Sequence, residues 1–465
     1  MKKVAEAFAD FALEYRDYDR LPPAVVRETK RVLLNSVGIA VGGIASDKGK
    51  IGVQFARLQG GTPEATLLGI GGKYSASVAA FANAELLNGL DMDGLPHIPP
   101  IVIPAVLAAA EANHASGKEL IAALAVGMEV ARRLSRVLLS IMTASIAKYG
   151  KTPDIFGNSN EHIIGAAVGC GLLMGMNREE LLQTIGIAAY YCSLPVCRDW
   201  ESTMPKSMIK YVPVSWMAQG GVQAAQMAKL GYTGNTETLD SPLGFPAIYC
   251  REPVWNPEKV LEGLGEKWFF TAWHCKPYPC CRFLHSALDC FYKLQRENSF
   301  APEEIERVDV HTSAFVAHPD QYAVNNQVDA QFSGPYCISL AAHGLKPGPA
   351  WQDKAALTDP KVQSFMRKVT MHIAPEYGEK RKLDPDSWYA RVEIRARGQV
   401  FMAETDYSWG SNVEGYRLTD RELREQFTTC ASVVLPDQKI QRALALLENL
   451  ETLPELDELM KNLCL

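Results

Sequence analysis

The sequence lacks any apolar run long enough to cross a bilayer. Its longest apolar stretch, residues 163–176, has fourteen residues rich in glycine and alanine, whereas a membrane helix needs about 20. The N-terminus also lacks the pattern of a secretory signal or a transit peptide, because Asp10, Glu14 and Arg16 fall within an amphipathic pattern. These absences predict a protein that neither spans a membrane nor is secreted.

An excess of positive charge is also missing. The chain carries 47 Lys and Arg residues against 53 Asp and Glu residues, for a formal net charge of −6. Nucleic acids and anionic membrane surfaces are bound by proteins with a basic surface, so neither is an expected partner. An anionic ligand would have to be met by a local cluster of basic side chains.

The cysteines lack the spacing of a disulfide framework. There are 11 of them, an odd number, scattered over the chain. Small secreted domains instead carry even sets at regular spacings. We therefore predict reduced thiols and a cytoplasmic location. The cysteines are Cys170, Cys192, Cys197, Cys250, Cys275, Cys280, Cys281, Cys290, Cys337, Cys430 and Cys464.

The chain also lacks internal repeats, low-complexity tracts and nucleotide-binding loops. Residues 69–72 read Gly-Ile-Gly-Gly, but they lack the glycine spacing of a dinucleotide fingerprint. What is present is a chain of 465 residues, 47% of them hydrophobic. This length exceeds the size at which single cores stop growing, so two domains are expected.

Helical periodicity dominates the first half of the chain. Apolar residues recur at helical spacing, and glycine and alanine between them allow close packing. Asn177 is the predicted N-cap of one helix and Gly175 can close the preceding one, so these two helices are expected to form a hairpin. The predicted helices span residues 25–41, 78–90, 104–116, 120–138, 163–176, 178–190 and 214–230.

The pattern changes to a period of two after about Trp273. Alternation of apolar and polar residues is typical of half-buried strands and predicts a smaller α+β domain. Thr419 and Glu422 then have the spacing of a capping box, and residues 438–447 are helical again. The predicted strands span residues 304–312, 388–396 and 400–405.

These patterns predict a mainly α fold with a large all-helical domain. The α+β part interrupts the helical part as an insertion, because helical periodicity returns after it. The predicted boundaries are residues 1–272 for the first part of the helical domain, 273–415 for the α+β domain and 416–465 for the C-terminal return.

Reactive side chains are concentrated in residues 274–285, which we call the Lys276 loop. This segment holds a lysine, an arginine, two histidines and three cysteines. Prolines on both sides of Tyr278 forbid a helix there, so a loop presents Lys276 and His285, and a following helix can anchor it. A solvated loop that only leads into a helix is the alternative.

The cysteines of the Lys276 loop allow two further hypotheses. A metal site at Cys275, Cys280 and Cys281 is disfavoured, because their spacing is not that of zinc ribbons or iron–sulfur sites. A nucleophile at Cys280 or Cys281 could work with His285, which would share a helix face with Cys281, but no third group orients it. We predict no metal.

A second cluster follows the predicted helix 78–90. Asp91, Asp93 and His97 lie in a segment that also contains glycine and proline. Carboxylates two residues apart cannot share a helix face, so one can orient a neighbour while the other reacts. A Ca²⁺ loop is disfavoured because Leu, Pro and Ile replace the downstream oxygen ligands. A surface turn rich in Asp and Gly is the alternative.

Two lysines and a further histidine complete the candidates. Lys206 and Lys210 precede the predicted helix 214–230, where a lysine can bind a carboxylate or act as an acid with a lowered pKa. His162 precedes the apolar segment 163–176. The alternatives are a solvated lysine near a helix start and a histidine satisfied in the core.

Taken together, these segments resemble the MmgE/PrpD family along nearly the whole chain. The matching motifs occur in the order of the family. They are Leu21-Pro22-Pro23 with residues 33–38, Leu90-Asp91-Met92-Asp93, Met208-Ile209-Lys210 with residues 231–234, residues 276–282, and residues 331–336.

The resemblance implies a large helical domain, a smaller α+β lid domain, a homodimer and no cofactor. Known activities in the family are dehydration of 2-methylcitrate, decarboxylation of cis-aconitate and epimerisation of iminodisuccinate. All three remove or replace a substituent beside a carbanion or enolate that an acid group stabilises. Lysines and an arginine for carboxylates, with a histidine or aspartate to move protons, match that chemistry.

The resemblance also assigns roles by position. The four implied catalytic residues are Asp93, His97, Lys210 and Lys276. We expect Asp93 to orient His97 as a general acid or base, while the two lysines bind carboxylates and stabilise enolate charge. Lys210 is preferred to Lys206 because its distance to the next motif fits the family. The supporting substrate-binding candidates are Arg282, His285, Asp91, His162 and Lys206.

The chain departs from the family pattern at four positions. Phe156 stands where decarboxylating and dehydrating members carry a histidine, and Cys281 replaces a second histidine of decarboxylating members. Asn88 and Gly94 replace a histidine and an aspartate. Decarboxylation is therefore the least favoured activity. We predict a cofactor-independent lyase of dehydratase type acting on a small di- or tricarboxylate, with an epimerase, a decarboxylase or a catalytically silent binding protein as alternatives.

Overall fold

The computed structural model describes residues 3–149, 153–249 and 255–465, and most of these residues are helical. Cys250 lies outside the described ranges. Within them, no helix combines the length and apolarity needed to cross a membrane. A short antiparallel hairpin joins β1 (Ala65–Thr66) and β2 (Lys73–Tyr74). The helices of the first part are α1 (Val4–Glu14), α2 (Pro23–Gly42), α3 (Asp47–Gln59), α4 (Ala76–Gly89), α5 (Pro99–Ala112), α6 (Gly117–Tyr149), α7 (His162–Leu173), α8 (Arg178–Tyr190), α9 (Cys197–Ser202), α10 (Val214–Lys229), α11 (Phe245–Tyr249) and α12 (Pro257–Leu261).

Helices α4, α5, α7 and α10 pack against one another at the centre of the helical core. Most of their residues are buried, and many are alanine or glycine. A Cβ atom on Gly165 of α7 would lie 2.2 Å from the carbonyl oxygen of Gly127 in α6, so only glycine permits this approach. This packing fixes the C-terminal end of α4, and the candidate site residues Asp91 and Asp93 follow directly after it in the chain.

Most predicted helices are confirmed to within a few residues, and two differ more. The prediction began a helix at residue 104, but α5 begins at Pro99 and contains Pro104. Pro99 and Pro100 fit the first turn because their missing N–H groups have no intrahelical partner there. Helix α6 continues to Tyr149, eleven residues past the predicted end, although Leu139 and Tyr149 are exposed and interrupt the apolar stripe.

The predicted hairpin of α7 and α8 is confirmed. Asn177 caps α8 by accepting a hydrogen bond from the Glu180 amide, and the Glu180 carboxylate accepts one from the Asn177 amide. Gly175 has φ of 67°, a conformation that favours glycine at the end of α7. The two helices pack against each other.

A four-stranded sheet forms the centre of the second part of the chain. Its strand order is β4-β3-β5-β6, with β4 parallel to β3 and the other neighbours antiparallel. Helix α13 packs on β5 and β6, and α15 packs on β4. The elements are α13 (His285–Asn298), β3 (Ile305–Thr312), α14 (Gln327–Phe332), α15 (Gly334–Ala342), α16 (Lys354–Thr358), α17 (Pro360–Met366), β4 (Val369–Ile373), α18 (Glu376–Leu383), β5 (Ala390–Ala396) and β6 (Gln399–Thr405).

Strands β3, β5 and β6 were predicted from alternation, whereas β4 was not. Only Val369 of β4 is buried, the next three residues are half-buried, and Ile373 is exposed. An edge strand of this kind has no clear period of two. Its position is set by pairing with β3, in which Val308 lies opposite Val369.

The C-terminal end of the chain returns to the helical core. Thr419 and Glu422 form the predicted capping box at the start of α19. Helix α19 packs closely along α2, since a Cβ atom on Gly38 would lie 2.7 Å from the Phe427 ring. The mainly α class is confirmed, whereas the division at residues 273 and 415 stays a prediction. The last helices are α19 (Asp420–Ala431), α20 (Asp437–Glu448) and α21 (Asp457–Asn462).

Candidate active site

Asp91 lies between two lysines that are far apart in the sequence. It follows α4, whereas Lys210 precedes α10 and Lys276 lies in the Lys276 loop. The Lys210 Nζ atom is 2.6 Å from Asp91 Oδ1, and the Lys276 Nζ atom is 2.9 Å from Asp91 Oδ2. The three side chains are at most 2% exposed. The fold thus buries one carboxylate between two ammonium groups.

Each of the two lysines retains one N–H donor. The Lys210 ammonium also donates to the Asn88 carbonyl oxygen at 3.1 Å, and the Lys276 ammonium donates to the Asp91 carbonyl oxygen at 3.1 Å. A lysine ammonium has three donors, so one donor per lysine has no partner among the described residues. A remaining N–H donor on a buried ammonium group can hold an anionic oxygen of a ligand.

Burial and neighbouring charges of opposite sign act in opposite directions on the pKa values of Asp91, Lys210 and Lys276. Burial by itself raises the pKa of Asp91, but the ammonium groups of Lys210 and Lys276 bring that pKa below its ordinary value. Burial, together with the nearby Lys48 ammonium, lowers the pKa of Lys210. Burial also opposes the charge on Lys276, yet Asp91 and Asp93 raise the pKa of Lys276. Lys276 is therefore a fixed cation, while Lys210 is the weaker base of the two.

A second pair, Asp93 and His97, lies beside the first. The His97 Nδ1 atom is 2.6 Å from Asp93 Oδ2, and the other oxygen, Oδ1, accepts a hydrogen bond from the Asn88 amide at 3.1 Å. The Lys48 ammonium in turn donates to Asn88 Oδ1 at 2.7 Å. Asp93 is fully buried and His97 is 7% exposed. The carboxylate of Asp93 therefore fixes the orientation of the His97 ring.

The buried position of His97 favours its neutral imidazole form. Burial, helped by the Lys276 charge, lowers the pKa of His97 below 6.5, although Asp93 acts in the opposite direction. Burial would raise the pKa of Asp93, but His97 and the two lysines hold it well below its ordinary value. We assign the Nδ1–H tautomer to His97, because ionised Asp93 needs a donor. Atom Nε2 is then the basic nitrogen.

Three residues of the site have backbone conformations that are unfavourable for their side chains. Asp91, His97 and Lys210 have φ angles of 55°, 64° and 56°. Such left-handed conformations cost free energy for residues other than glycine, and they are enriched at functional sites. The surrounding contacts therefore hold these three residues in place against local backbone preference.

The segment around Asp91 and the Lys276 loop are in direct backbone contact. The Leu95 amide donates to the His274 carbonyl oxygen at 2.9 Å, and the reverse bond is 3.3 Å. A Cβ atom on Gly94 would lie 2.9 Å from the Trp273 ring and 3.1 Å from the His274 carbonyl oxygen. An aspartate could not occupy position 94 without moving the loop, which explains this departure from the expected motif.

Glutamines from two other helices fix the Lys276 loop. Gln426 of α19 donates to the Lys276 carbonyl oxygen at 2.7 Å. The side-chain amide of Gln331 in α14 donates to the Gly89 carbonyl oxygen at 2.8 Å, and the Gln331 backbone carbonyl oxygen accepts a hydrogen bond from the Cys281 amide at 2.8 Å. The end of α4 and the Lys276 loop are thus joined by α14, and α19 supports the loop from the other side.

The structure gives Arg282 and His285 internal partners. The Arg282 guanidinium donates to the carbonyl oxygens of Cys275 and Trp409, and to the Ser411 hydroxyl at 2.6 Å. His285 Nε2 lies 3.1 Å from the Cys280 carbonyl oxygen. Burial, together with the Arg282 charge, lowers the pKa of His285 far below its ordinary value. Both side chains hold the Lys276 loop in shape, and neither contacts Asp91 or Asp93 in a hydrogen bond.

Lys206 and His162 also lie outside the hydrogen-bonded cluster. The Lys206 ammonium donates to the carbonyl oxygens of Trp200 and Glu201, at 3.3 and 2.6 Å. His162 Nδ1 is 3.2 Å from the His97 carbonyl oxygen, so His162 supports the backbone of the site. Of the two lysines, Lys210 is the one that is hydrogen-bonded to Asp91.

Comparison with known families identifies the chain. The MmgE/PrpD N-terminal domain model matches residues 6–258, and the MmgE/PrpD C-terminal domain model matches residues 278–452. The chain belongs to the MmgE/PrpD family. The resemblance seen in the ordered motifs is therefore confirmed.

Individual MmgE/PrpD relatives are similar over nearly the full chain. The cis-aconitate decarboxylase-like protein oryM of Aspergillus oryzae is 25% identical, covering 95% of this chain and 93% of its own length. The cis-aconitate decarboxylase of Mus musculus is 24% identical, covering 98% and 92%. That of Homo sapiens is 23% identical, covering 98% and 93%. Family membership and these relatives make the chain an enzyme of the lyase type.

Two of the positions at which the family resemblance implies a histidine, 156 and 281, are occupied by buried side chains. Phe156 is 8% exposed, and its carbonyl oxygen accepts a hydrogen bond from the Cys197 amide at 3.0 Å. Cys281 lies near Asp91 and Lys276, and burial, helped by the Asp91 charge, raises the pKa of its thiol to about 12. Position 281 is therefore occupied by a neutral thiol, which cannot serve as the acid or base that a histidine would supply.

The cysteine nucleophile and the metal site find no support in the geometry. Cys281 precedes a short 3₁₀ turn, and α13 begins only at His285, so the two residues do not share a helix face. Burial also raises the pKa of the Cys280 thiol far above its ordinary value. In the part of the chain that the structure describes, no three His, Cys, Asp or Glu side chains are placed to hold a metal ion.

Several site residues were not predicted from the sequence. Tyr211 lies next to Lys210, and its hydroxyl is 2.9 Å from His97 Nε2. Lys48 and Asn88 support Asp93, and Gln331 joins α4 to the Lys276 loop. The available signals were polar residues in otherwise apolar helices and a tyrosine beside a candidate lysine. Such signals do not reveal which distant residues meet.

Proposed function

We propose that this protein is a cofactor-independent lyase that acts on a small di- or tricarboxylate by removing a proton next to a carboxylate. The observation that carries the proposal is that a pair of buried lysines lies next to a histidine that can act as a base. Lys210 and Lys276 each keep one N–H donor beside Asp91, and the neutral imidazole of His97 lies next to them, oriented by Asp93. An anion-binding pair and a base together suit enolate chemistry.

The proposed mechanism assigns one task to each group. The Lys210 and Lys276 ammonium groups hold a substrate carboxylate and stabilise the negative charge that develops on it. The neutral imidazole of His97 accepts the proton, and the electron pair of the C–H bond moves into the carboxylate. In the dehydratase form, the electron pair then returns from the carboxylate to form the carbon–carbon double bond, while the hydroxyl group leaves the neighbouring carbon and takes the proton back from the imidazolium as water. The buried site strengthens the electrostatic stabilisation.

Decarboxylation is the second candidate, and the relatives favour it. The similar proteins from A. oryzae, mouse and human carry cis-aconitate decarboxylase in their names. Against transfer of that activity stands Cys281, whose thiol supplies no proton where decarboxylating members carry a histidine; Phe156 replaces a histidine of decarboxylating and dehydrating members alike and does not separate the two activities. We therefore prefer the dehydratase form. An epimerase and a silent binding protein remain the further alternatives of the same site.

The arrangement of the chain suggests how a substrate would enter. Asp91, His97 and Lys210 belong to the helical part, whereas Lys276 lies at the predicted boundary of the α+β part. Because the four side chains are nearly fully buried, a substrate needs this boundary to open. We propose that residues 273–415 act as the lid domain, and that the enzyme works as a homodimer.

Proton NMR in D₂O tests the proposed activity directly. The enzyme would be incubated with citrate, 2-methylcitrate, cis-aconitate, malate and aspartate-derived acids. A new olefinic signal from a hydroxy acid is the expected result, because elimination of water creates a double bond. Loss of a carboxyl group as CO₂ would establish the decarboxylase instead, and exchange at a stereocentre without an olefin would establish an epimerase. Binding of these acids without any turnover would contradict an enzymatic role.

The pH dependence of kcat/KM tests the role of His97. Its pKa is lowered below 6.5 by burial and by Lys276, so neutral His97 prevails at neutral pH. We expect kcat/KM to be level at neutral pH and to fall as the pH drops through a pKa below 6.5, because protonation removes the base. Asp93→Asn should shift this acidic limb to still lower pH, since the carboxylate favours the imidazolium. An acidic limb centred above 6.5 would contradict the assignment.

A further inference from the structure

Asn88, in the last turn of α4, contacts both halves of the candidate site and is 1% exposed. Its side-chain amide donates to Asp93 Oδ1 at 3.1 Å, and its side-chain oxygen accepts a hydrogen bond from the Lys48 ammonium at 2.7 Å. Its backbone carbonyl oxygen accepts a hydrogen bond from the Lys210 ammonium at 3.1 Å. One asparagine thus joins the pair of Asp93 and His97 to two buried lysines.

The orientation of the Asn88 amide is set by the chemistry of its neighbours. A lysine ammonium has only donors, and an ionised carboxylate has only acceptors. The amide oxygen must therefore face Lys48, and the amide nitrogen must face Asp93. Lys48 belongs to α3, is 6% exposed, and has its ammonium 3.4 Å from the Glu85 carboxylate. The packing of α3 on α4 thus places a buried cation behind the donor that Asp93 receives.

We propose that Asn88 and Lys48 are positioning residues of the proton transfer, because together they hold the Asp93 carboxylate in place and keep the pair of Asp93 and His97 free of an extra proton. This inference rests on the proposed function and makes it more specific, since it names what keeps the base available. Both residues act through Asp93 and transfer no proton themselves. Asparagine suits this task because its amide donates a hydrogen bond and does not titrate, unlike the histidine that the family resemblance implies at position 88.

The positive charge of Lys48 and the amide of Asn88 favour the unprotonated form of the pair. With Asp93 ionised and His97 neutral, the pair has a net charge of one negative unit, which a donor and a cation stabilise. Protonation of His97 leaves the pair without net charge, so the same two groups then stabilise it less. Both residues therefore lower the proton affinity of the pair, in the direction in which burial lowers the pKa of His97. Burial, together with the Lys48 charge, also lowers the pKa of Lys210.

Other titratable groups also face the pair, and a substitution of the Asn88 side chain leaves all of them in place. The Asn88 backbone carbonyl oxygen, which accepts from Lys210, is retained as well. A change in the pH profile can therefore be assigned to the contact with Asp93. The other groups that face Asp93 or His97 are Asp91, Lys210, Lys276, Tyr211 and His162.

The pH profile of kcat/KM separates this role from a structural one. Asn88→Leu keeps a side chain of similar shape but removes both side-chain hydrogen bonds. We expect its acidic limb to move to higher pH by about one unit, opposite to the shift expected for Asp93→Asn. Lys48→Met should move the limb in the same direction by less, and it serves as the test if Asn88→Leu does not fold.

Lys50→Met is the matched control, because Lys50 lies in the same helix with a side chain that is 51% exposed, and its ammonium is 3.7 Å from Asp47. This control should keep the wild-type profile. A purely structural role for Asn88 would lower kcat/KM at every pH and leave the acidic limb in place. That outcome in Asn88→Leu, or in Lys48→Met where Asn88→Leu does not fold, would overturn the inference while the proposed function stands.

The double variant Asn88→Leu with Lys48→Met tests whether Lys48 acts through Asn88. Residues in one hydrogen-bonded network show effects that do not add. We therefore expect the acidic limb of the double variant to move by less than the sum of the two single shifts. Shifts that add would mean that the two residues act independently, and would overturn the link between them.

A spectroscopic titration remains informative if no acid in the panel is turned over. In that case the proposed function fails, and ¹⁵N NMR of the His97 imidazole as a function of pH tests the role of Asn88 and Lys48 alone. We expect His97 to take up its proton at higher pH in Asn88→Leu and Lys48→Met than in the wild type, with no change in Lys50→Met. The same titration in the wild type and all three variants would overturn the inference.

Discussion

Replacing Lys276 with Ala is expected to lower kcat/KM by at least about 10²-fold, as for the loss of a preorganised electrostatic group. Lys276 is 2% exposed, and its pKa is raised by Asp91 and Asp93, so it carries a fixed charge next to the proposed substrate carboxylate. The loss should fall mainly on kcat, because the charge that Lys276 stabilises grows in the transition state. Steady-state kinetics on the substrate identified by NMR would measure the effect.

Two variants make this result interpretable. Lys276→Met fills the volume of the buried stem, so a similar loss in this variant would show that the charge matters rather than the packing. Lys206→Met removes a buried lysine that donates to α9 carbonyl oxygens and not to Asp91, and it should keep wild-type turnover. Near-normal turnover of Lys276→Ala would remove Lys276 from the mechanism.

The largest effect on stability is expected from Asp91→Asn. This change keeps the shape of the side chain but removes the carboxylate that partners two buried ammonium groups. Removing one partner of a buried ion pair typically costs about 3–5 kcal/mol, because the remaining charge stays buried without compensation. The free energy of unfolding, measured by urea denaturation, should fall by an amount in this range.

A second variant identifies the cause of that loss. Adding Lys210→Met to Asp91→Asn removes one of the two uncompensated cations, and the double variant should be more stable than the sum of the single effects by about 1–3 kcal/mol. Asp457→Asn is the matched control, since Asp457 is 68% exposed and lies 3.8 Å from Lys73 at the surface. Asp91→Asn with the stability of this control would contradict the buried ion pair.

Part of the candidate site could be predicted from residue patterns in the sequence. Asp93, His97, Lys210 and Lys276 were identified because reactive side chains stand in short segments rich in glycine and proline. The structure brings all four together. It also gives Asp91 the central place between the lysines, whereas the resemblance had put Asp93 first. Two carboxylates that are two residues apart point in different directions, and sequence spacing does not reveal which one the lysines meet.

The mainly α class, most helix positions, three of the four strands of the main sheet and the family were all predictable from residue patterns along the chain. These features depend on local periodicity, capping and ordered motifs, all of which can be followed along the chain. Other features depend on the packing of distant elements: Arg282 and His285 support the Lys276 loop, the Lys206 ammonium donates to the carbonyl oxygens of Trp200 and Glu201, and β4 joins the sheet. The same packing brings Tyr211 next to His97. The physical reason is that these contacts join residues distant in sequence, and their partners are set by the packing of whole elements.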